Sequence, residues 1–556
     1  MSKDILTAWQ RLIGLLKLDK KDVLQTFYYA IFAGLVSLSL PLGIQAIINL
    51  MQGGQISTSW IVLVVLVTMG VAFVGLLQFM QMRIIENVQQ KIFTRASFEF
   101  AYRFPKIKAS ELYDYYPPEL ANRFFDTLTI QKGLAKLLID FPAALLQIIF
   151  GLILLSFYHP FFIIYGFLLI LLIYIVFKLT AQRGLDTSLD ESKNKYKVAH
   201  WLQEVARSIE SFKLSGKTSL ALQKNDYLVS KYLVARESHF RVLVIQFIQM
   251  IGFKVLVTGG LLVIGGLLVL NQQMNIGQFV AAEIIILLVI NSVEKLILGL
   301  ESVYDVLTSL EKLGQVVDKD LESQEGGKLN AENGLTIEFD KVSFMVKDDD
   351  RLILNEVSFS MKPKDRILIK GPSGAGKSSL LRIMAGLTSP TSGSVIVNNI
   401  DLRGLHLNSY RALLGQSLAE ESPFEGTIEE NITFGDTSIS QETIYWALEK
   451  TFLTNFVKEQ PLGLKTILYP EGKQIPFSVT KKIVLARSIV RKPEILILKD
   501  ALDQLDEQEG VAIMKFLTQE NQPWSLVVVS QNPGWETTCT RVIELEKGKI
   551  ISGNTK

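Results

Sequence analysis

Long uncharged apolar stretches dominate the first half of the chain. Residues 23–82 and 141–177 contain no Asp, Glu, Lys or Arg, and a third apolar region runs from Val242 to Val293. A helix crosses the ~30 Å hydrocarbon core of a bilayer in about 20 residues, and turn-forming residues interrupt each stretch near its middle. The pattern therefore predicts six membrane-spanning helices, near 23–50, 58–82, 141–157, 160–177, 242–270 and 277–300.

The distribution of charge predicts the orientation of these helices. The short turns 51–57, 158–160 and 271–277 carry no Lys or Arg, whereas the N-terminus and the connections 83–140 and 178–241 are rich in charge. Because positive charge is retained on the cytoplasmic side, we expect both termini and both long connections in the cytoplasm. The protein is then a multi-pass plasma-membrane protein, which in a bacterium means the inner membrane. The first apolar block is too long for a cleavable signal peptide and lacks its cleavage pattern.

The two long connections have few breakers, and segments 83–103 and 190–240 favour helix. Helices of this length extend far beyond the membrane, so we expect two long helical hairpins. Their tips fall near 115–119 and 210–216 and are either docking surfaces or ordinary turns.

Three charged residues interrupt the third apolar region. Lys254 and Glu294 lie at similar depths in neighbouring spans, so they could form an ion pair or line a cavity. Glu283 lies nearer the outer end of its span, where its carboxylate can reach the surface.

Overall composition excludes several classes of function. The formal net charge of +2 and the absence of a basic run point to no nucleic-acid partner. The single cysteine, Cys539, excludes an internal disulfide framework and a multi-cysteine metal site, and four histidines leave little material for a histidine cluster.

The second half of the chain has a different pattern. Residues 313–334 are polar and have the composition of a linker, and short β-branched runs then alternate with helical patterns to the C-terminus. This alternation is typical of an α/β domain with a largely parallel sheet. We therefore expect a membrane domain over 1–312 and an α/β nucleotide-binding domain over 335–556.

The strongest chemical motif follows an apolar strand at 367–369. It matches G-x-x-x-x-G-K-[ST] in full, with the residues Gly371, Pro372, Ser373, Gly374, Ala375, Gly376, Lys377 and Ser378. In such a loop the backbone N–H groups and the following helix N-terminus surround phosphates. Lys377 would reach the β and γ phosphates of a nucleotide and Ser378 would ligate Mg²⁺, so we assign this run and the adjoining Ser379 to nucleotide binding.

The six spans, the hairpins and this loop together resemble the ATP-binding cassette (ABC) exporters, as a half-transporter with one membrane domain and one nucleotide-binding domain. Segments 426–432, 483–488, 493–498 and 505–506 are similar to family motifs, and Gln416 stands about three residues upstream of the usual Q-loop position. The resemblance implies that ATP lies at a dimer interface, that Gln416 contacts nucleotide and Mg²⁺, and that the hairpin tips are coupling helices.

Several catalytic positions depart from the family pattern. The strand that should end in Asp then Glu ends in Lys499 and Asp500, so an ammonium stands where Mg²⁺ should be held and a shortened general base follows it. The segment 475–479 reads Ile-Pro-Phe-Ser-Val in place of the signature Leu-Ser-Gly-Gly-Gln. Gln531 replaces the switch histidine, and Val346 replaces the aromatic that stacks on adenine.

These departures leave two functions open. One is an exporter subunit that binds ATP as a homodimer or heterodimer and hydrolyses it weakly or not at all. The other is a non-catalytic ATP-binding scaffold or regulatory subunit of a secretion assembly.

The spans are most similar to type I secretion exporters, which move peptides or proteins with a periplasmic adaptor, while lipid or drug export stays open. No peptidase domain precedes the first span, so we do not expect leader-peptide cleavage. Lys499 could replace Mg²⁺ or pair with Asp500, and so make nucleotide binding independent of the metal. Alternatively, it could be a solvated or salt-bridged lysine that does not contact nucleotide.

Overall fold

The computed structural model describes residues 7–51, 58–113, 115–329, 334–346, 351–418 and 420–555. The chain divides into two compact units. The membrane unit comprises Met1–Lys106 and Asp114–Lys319, and the α/β unit comprises Ile107–Tyr113 and Asp320–Lys556.

The regular structure of the membrane unit is helical. Its α-helices are α1 Ala8–Leu18, α2 Lys20–Ser37, α3 Ser39–Met51, α4 Thr58–Arg103, α5 Pro117–Ala121, α6 Asp126–Ser156, α7 Phe161–Arg207, α8 Ile209–Leu214, α9 Leu220–Leu270 and α10 Ile276–Val317. Among the residues that the structure describes, six helical segments are long and apolar enough to cross a membrane, as the sequence predicts. Residues 313–317, expected to begin a linker, continue α10.

The long helices account for the predicted hairpins. Helices α4, α7 and α9 contain 46, 47 and 51 residues, which corresponds to about 70–77 Å at 1.5 Å per residue. This is more than twice the ~30 Å hydrocarbon core. Each helix therefore has one membrane-crossing part and one part long enough to lie in water.

The first span consists of two helices. Helix α2 ends at Ser37, and α3 starts at Ser39 with Pro41 buried in its first turn. Proline lacks an N–H and its ring clashes with the carbonyl four residues earlier. A proline at this position explains why the helix is interrupted.

Buried polar contacts join the helices of the membrane unit. The side-chain amide of Gln246 donates to the hydroxyls of Thr180, at 3.0 Å, and Tyr304, at 2.8 Å. The Lys254 ammonium lies 2.7 Å from the Glu294 carboxylate, so the ion pair that depth alone left open is formed between α9 and α10. Glu294 also borders a cavity of about 580 Å³, whose lining does not include Lys254.

The α/β unit contains two main sheets. Its strands are β1 Ile337–Val346, β2 Arg351–Met361, β3 Arg366–Lys370, β4 Ser392–Val397, β5 Ile400–Asp401, β6 Leu414–Ser417, β7 Gly426–Thr427, β8 Ile467–Leu468, β9 Ile495–Lys499, β10 Ser525–Val529, β11 Arg541–Glu546 and β12 Lys549–Thr555. Its helices are α11 Lys377–Met384, α12 Leu407–Arg411, α13 Ile428–Thr433, α14 Gln441–Lys450, α15 Thr454–Glu459, α16 Phe477–Ile489, α17 Glu507–Leu517 and α18 Gly534–Thr538.

The six-stranded sheet has the order β12-β11-β3-β10-β9-β6. All its neighbouring strands are parallel except β12, which pairs antiparallel with β11. Alternate residues of β9 enter the hydrophobic cores on opposite faces of the sheet. Ile495 and Ile497 pack into one core, and Leu496 and Leu498 pack into the other. A parallel strand buried on both faces has this continuous apolar sequence, which confirms the predicted α/β class.

The segment Ile107–Tyr113 belongs to the α/β unit although it precedes most of the membrane unit in sequence. Ile107 forms an antiparallel bridge with Leu321, and the Lys108 N–H donates to the Asp320 carbonyl at 3.0 Å. Residues 115–119, where the first tip was expected, lie between α4 and α6 in the membrane unit. The segment Ile107–Tyr113, which precedes them, belongs to the α/β unit.

Candidate functional site

The nucleotide-binding loop connects β3 to α11. Gly371, Gly374 and Gly376 have φ angles of 146°, 80° and 101°, values that favour glycine. A Cβ atom at Gly371 would overlap the Leu545 carbonyl oxygen, and one at Gly376 would lie 2.8 Å from the Ile353 carbonyl oxygen. The glycines are therefore required by the path of the loop, which has the strand–loop–helix geometry of a phosphate-binding site.

Lys377 is the first residue of α11, and its side chain folds back across the loop. Its ammonium donates to the carbonyl oxygens of Gly371, at 2.6 Å, and Pro372, at 2.8 Å. Burial lowers the pKa of Lys377, and the charge of Lys499 lowers it further, while Asp500 opposes both. The loop thus holds a cation where a β or γ phosphate would bind.

Lys499 at the end of β9 is held by a carboxylate that sequence analysis missed. Its ammonium lies 3.3 Å from Glu420, which also lies 3.7 Å from Arg382 of α11. Lys499 is only 16% exposed. Partial burial acts to raise the pKa of Glu420, but Lys499 and Arg382 outweigh it and hold that pKa below its ordinary value.

Asp500 lies directly after β9 in a left-handed conformation, with φ of 49°. Its N–H donates to the Val529 carbonyl at 2.9 Å. Burial and the nearby charge of Asp503 raise the pKa of Asp500, and Asp503 in turn accepts a hydrogen bond from the Ser530 hydroxyl at 2.8 Å. The general-base position therefore contains two carboxyl groups in mutual contact.

The structure brings only part of the predicted site together. Lys377, Lys499 and Asp500 share one electrostatic environment, and Ser378 and Ser379 lie in the first turn of α11. Gln416 lies within β6, paired with Ile497, and its side-chain oxygen has no hydrogen-bond partner among the described residues.

The other motif positions lie at the surface or at strand ends. Gln531 follows β10 and is exposed. Phe477, 55% exposed, begins α16 behind Pro476, and the Lys481 ammonium lies 5.2 Å from its ring centroid. Val346 ends β1 and packs against the core of the α/β unit.

The residues at the end of β9 do not fit Mg²⁺. The metal prefers carboxylate and water oxygens, but an ammonium already paired to Glu420 occupies the expected ligand position. Among the described residues, no group of three or more His, Cys, Asp or Glu side chains could hold a metal ion. The phosphate loop, in contrast, fits a nucleotide.

A single sequence could not assign the partners of Lys499 and Asp500. Glu420 belongs to the segment after β6, and Asp503 follows Asp500 by three residues, but neither lies in a motif. The pair Glu420-Glu421 within the otherwise uncharged stretch 412–424 was the available signal.

Comparisons with known proteins identify the class. Residues 24–293 match the family described as ABC transporter transmembrane region, and residues 354–503 match the family described as ABC transporter. The chain therefore belongs to the ABC transporters and has the architecture of an exporter half-transporter, a multi-pass membrane protein with one ATP-binding domain.

Individual relatives are distant. A putative export ATP-binding/permease protein of Rickettsia bellii (strain RML369-C) is 28% identical over 45% of this chain and 44% of that protein. The ATP-dependent lipid A-core flippase of Burkholderia orbicola (strain AU 1054) is 26% identical over 50% of this chain and 47% of that protein. The leukotoxin translocation ATP-binding protein of Mannheimia haemolytica is 25% identical over 62% of this chain and 49% of that protein. The chain thus spans about half the length of the curated relatives it matches.

A solved structure is similar over nearly the whole chain. A bacterial Atm1-family ABC exporter with ATP bound has a TM-score of 0.85, with 96% of this chain and 95% of that chain covered. At 18% identity this similarity supports the fold.

Proposed function

We propose that this chain binds ATP at the interface of a dimer and takes part in export, with weak or absent hydrolysis at its own site. The carrying observation is the intact phosphate loop beside Lys499, whose ammonium is paired with Glu420 at the position expected to hold Mg²⁺. The site would therefore keep the residues that bind a nucleotide but lack the residue that holds Mg²⁺ for hydrolysis.

The magnitude of the effect supports this proposal. Phosphoryl transfer depends mainly on positioning and on stabilisation of charge. Removal of one stabilising donor costs about 100–1,000-fold in rate in a well-studied hydrolase. Here the metal ligand, the signature and the switch histidine all differ from the family pattern, and such losses do not simply add. Hydrolysis should nevertheless be very slow.

Lys499 also supports metal-independent binding of the nucleotide. It is mostly buried and shares the electrostatic environment of Lys377. An ammonium at this position supplies part of the positive charge that Mg²⁺ would bring to the phosphates. The alternative is that the pair with Glu420 is structural and stays closed when nucleotide binds.

The assembly is a homodimer, or a heterodimer with a second half-transporter, in which the two hairpin tips dock on the ATP-binding domains. Both termini are cytoplasmic. Because one relative is described as a leukotoxin translocation protein, we propose peptide or protein cargo and a periplasmic adaptor.

A non-catalytic scaffold in a secretion assembly is the second candidate. A half-transporter with one weak site can still supply a good signature to its partner. Pro476 and Phe477 replace the Ser and Gly of the signature here, so the partner's site would also be incomplete. This observation favours a clamp that binds ATP without turnover.

The deciding experiment measures ATP affinity and steady-state turnover of the purified chain in lipid nanodiscs, with Mg²⁺ and with EDTA. We expect binding in both buffers and almost no turnover. Lys377→Ala should weaken binding roughly tenfold or more, about 1.4 kcal/mol. Lys458→Ala, an exposed lysine of the same unit, is the matched control.

Three outcomes would contradict parts of this proposal. Turnover near ~1 s⁻¹, the lower range of ordinary enzymes, would restore a fully active exporter. Affinity that collapses in EDTA would exclude the role of Lys499 as a replacement for Mg²⁺. If Lys499→Asp left the effect of EDTA on affinity unchanged, Lys499 would not determine the metal requirement.

A further inference from the structure

A cavity of about 650 Å³ lies in the membrane unit, and none of its lining residues belongs to the nucleotide-binding loop. Small-molecule sites commonly have volumes of about 300–1,000 Å³. Side chains from α5, α7, α9 and α10 contribute to its wall. Five lysine or arginine residues and two glutamates line it, so the lining carries a net positive charge. The buried carboxylate of Asp126, which accepts a hydrogen bond from the Tyr196 hydroxyl, offsets part of that charge.

Arg123 is the buried centre of this cavity, with its side chain 7% exposed. Its guanidinium lies 3.7 Å over the ring of Tyr196, and its Nη2 atom donates to Glu119 at 3.1 Å. Its other two nitrogens, Nε and Nη1, are buried and have no hydrogen-bond partner among the described residues. Buried donors without acceptors are costly, and these two belong to the side chain best shaped for phosphate.

A second cation lies close to Arg123. The Lys312 side chain is nearly as buried, and its ammonium lies 5.5 Å from the Tyr196 ring centroid. Lys193, Lys197 and Lys224 are exposed at the rim. The buried centre and the rim therefore both favour an anion with more than one negative charge.

The position along the helices separates this cavity from the bilayer. Lys312 lies about 54 Å from the start of α10 at Ile276, at 1.5 Å per residue. Allowing for a typical tilt of ~20°, that distance exceeds the ~30 Å hydrocarbon core by about 20 Å. A lipid headgroup at the membrane surface would not reach Arg123.

We propose that the cavity around Arg123 and Lys312 binds a soluble small molecule that carries two or more phosphate charges. Arg123 and Lys312 supply the buried positive charge that stabilises one phosphate, and the rim lysines attract the ligand from water. This site is separate from the nucleotide-binding loop and does not depend on ATP hydrolysis.

Titration calorimetry with inorganic pyrophosphate tests the proposal. The full chain is used in zwitterionic nanodiscs with Lys377→Ala, which weakens phosphate binding at the nucleotide-binding loop. We expect saturable binding that Arg123→Gln weakens at least tenfold and Arg123→Lys weakens less. The double change Lys193→Gln/Lys197→Gln should weaken it clearly, and Lys213→Gln/Lys217→Gln should not. This control removes two exposed lysine charges from the same hairpin, outside the lining.

Absence of saturable binding would overturn the proposal, as would equal weakening by the rim double change and its control. Because the rim lysines are exposed, their variants decide the question even if Arg123→Gln does not fold. If anionic lipid in the nanodisc displaced pyrophosphate, the natural ligand would be a lipid headgroup, and the assignment of a soluble ligand would be wrong.

Discussion

Lys499 and Asp500 are neighbours in sequence but have different partners. The ammonium of Lys499 pairs with Glu420, while the carboxyl of Asp500 lies against Asp503. Lys499 is the last residue of β9, whereas Asp500 lies beyond the strand in a left-handed conformation, so the two side chains meet different groups. A single Asp at position 500 therefore does not make up for the Asp missing at position 499.

The raised pKa of Asp500 predicts a pH-dependent stability. The pKa in the folded state is above the unfolded value of about 3.9. The folded state therefore favours the protonated carboxyl of Asp500. The contribution of this group to the free energy of unfolding is fully present below the unfolded pKa and is lost as pH rises through the folded pKa. Asp500→Asn, neutral at every pH, should raise the thermal midpoint of the α/β unit at pH 7.5. The gain should shrink as pH falls towards 4, and a gain independent of pH would contradict this explanation.

The phosphate loop could be predicted from sequence because its requirements are local. Three glycines and Lys377 occupy fixed positions between one strand and one helix. The pairing of Lys499 with Glu420 could not be predicted, because it depends on β6 and β9 being neighbours in the sheet. The placement of Gln416 within β6 likewise requires the register of the two strands.

Helix α13 illustrates how short helices of the α/β unit are stabilised. The Thr427 hydroxyl accepts from the Glu430 N–H at 3.1 Å, and the Glu430 carboxylate accepts from the Thr427 N–H at 2.7 Å. This capping box satisfies two backbone donors. Thr427→Ala should cost about 1 kcal/mol, which lowers the midpoint by roughly 2–4 °C in a domain of about this size. Calorimetric scans should show that Thr427→Ser retains most of the stability.

Close helix packing in the membrane unit makes a second prediction. A Cβ atom at Gly184 in α7 would overlap the Tyr304 ring, whereas one at Gly252 in α9 would meet nothing within 4 Å. Alanine favours helix over glycine by about 1 kcal/mol at either position. We expect Gly184→Ala to lose about 1–3 kcal/mol net through overpacking and Gly252→Ala to lose nothing. Thermal aggregation in detergent compares them, and equal behaviour would contradict the packing argument.

The helices were more predictable than their ends. The lengths of the apolar stretches alone predicted six spans, because each helix has to cross the same thickness of hydrocarbon. The contact of Ile107–Tyr113 with the α/β unit was missed, because a bridge to Leu321 depends on residues far apart in the chain. The extension of α10 to Val317 was missed because residues 313–317 were grouped with the polar run that begins at Asp318.

The orientation of the whole molecule can be tested with the single native cysteine removed. Cys539 is buried, so Cys539→Ser provides a background for Gln273→Cys and Ser215→Cys, both at exposed turn positions. A membrane-impermeant maleimide applied to intact cells should label the Gln273 variant. The Ser215 variant should react only after the membrane is opened. The reverse pattern would place both termini outside.

The α/β unit is not a continuous stretch of polypeptide. Its second part begins at Asp320, but Ile107–Tyr113 supplies the partner of Leu321 and borders a depression of about 580 Å³. Genetic exchange of the C-terminal half between two half-transporters would therefore separate matched surfaces. A working chimera has to carry this seven-residue segment together with the domain it contacts, so the two halves of the gene are expected to evolve as one inherited block.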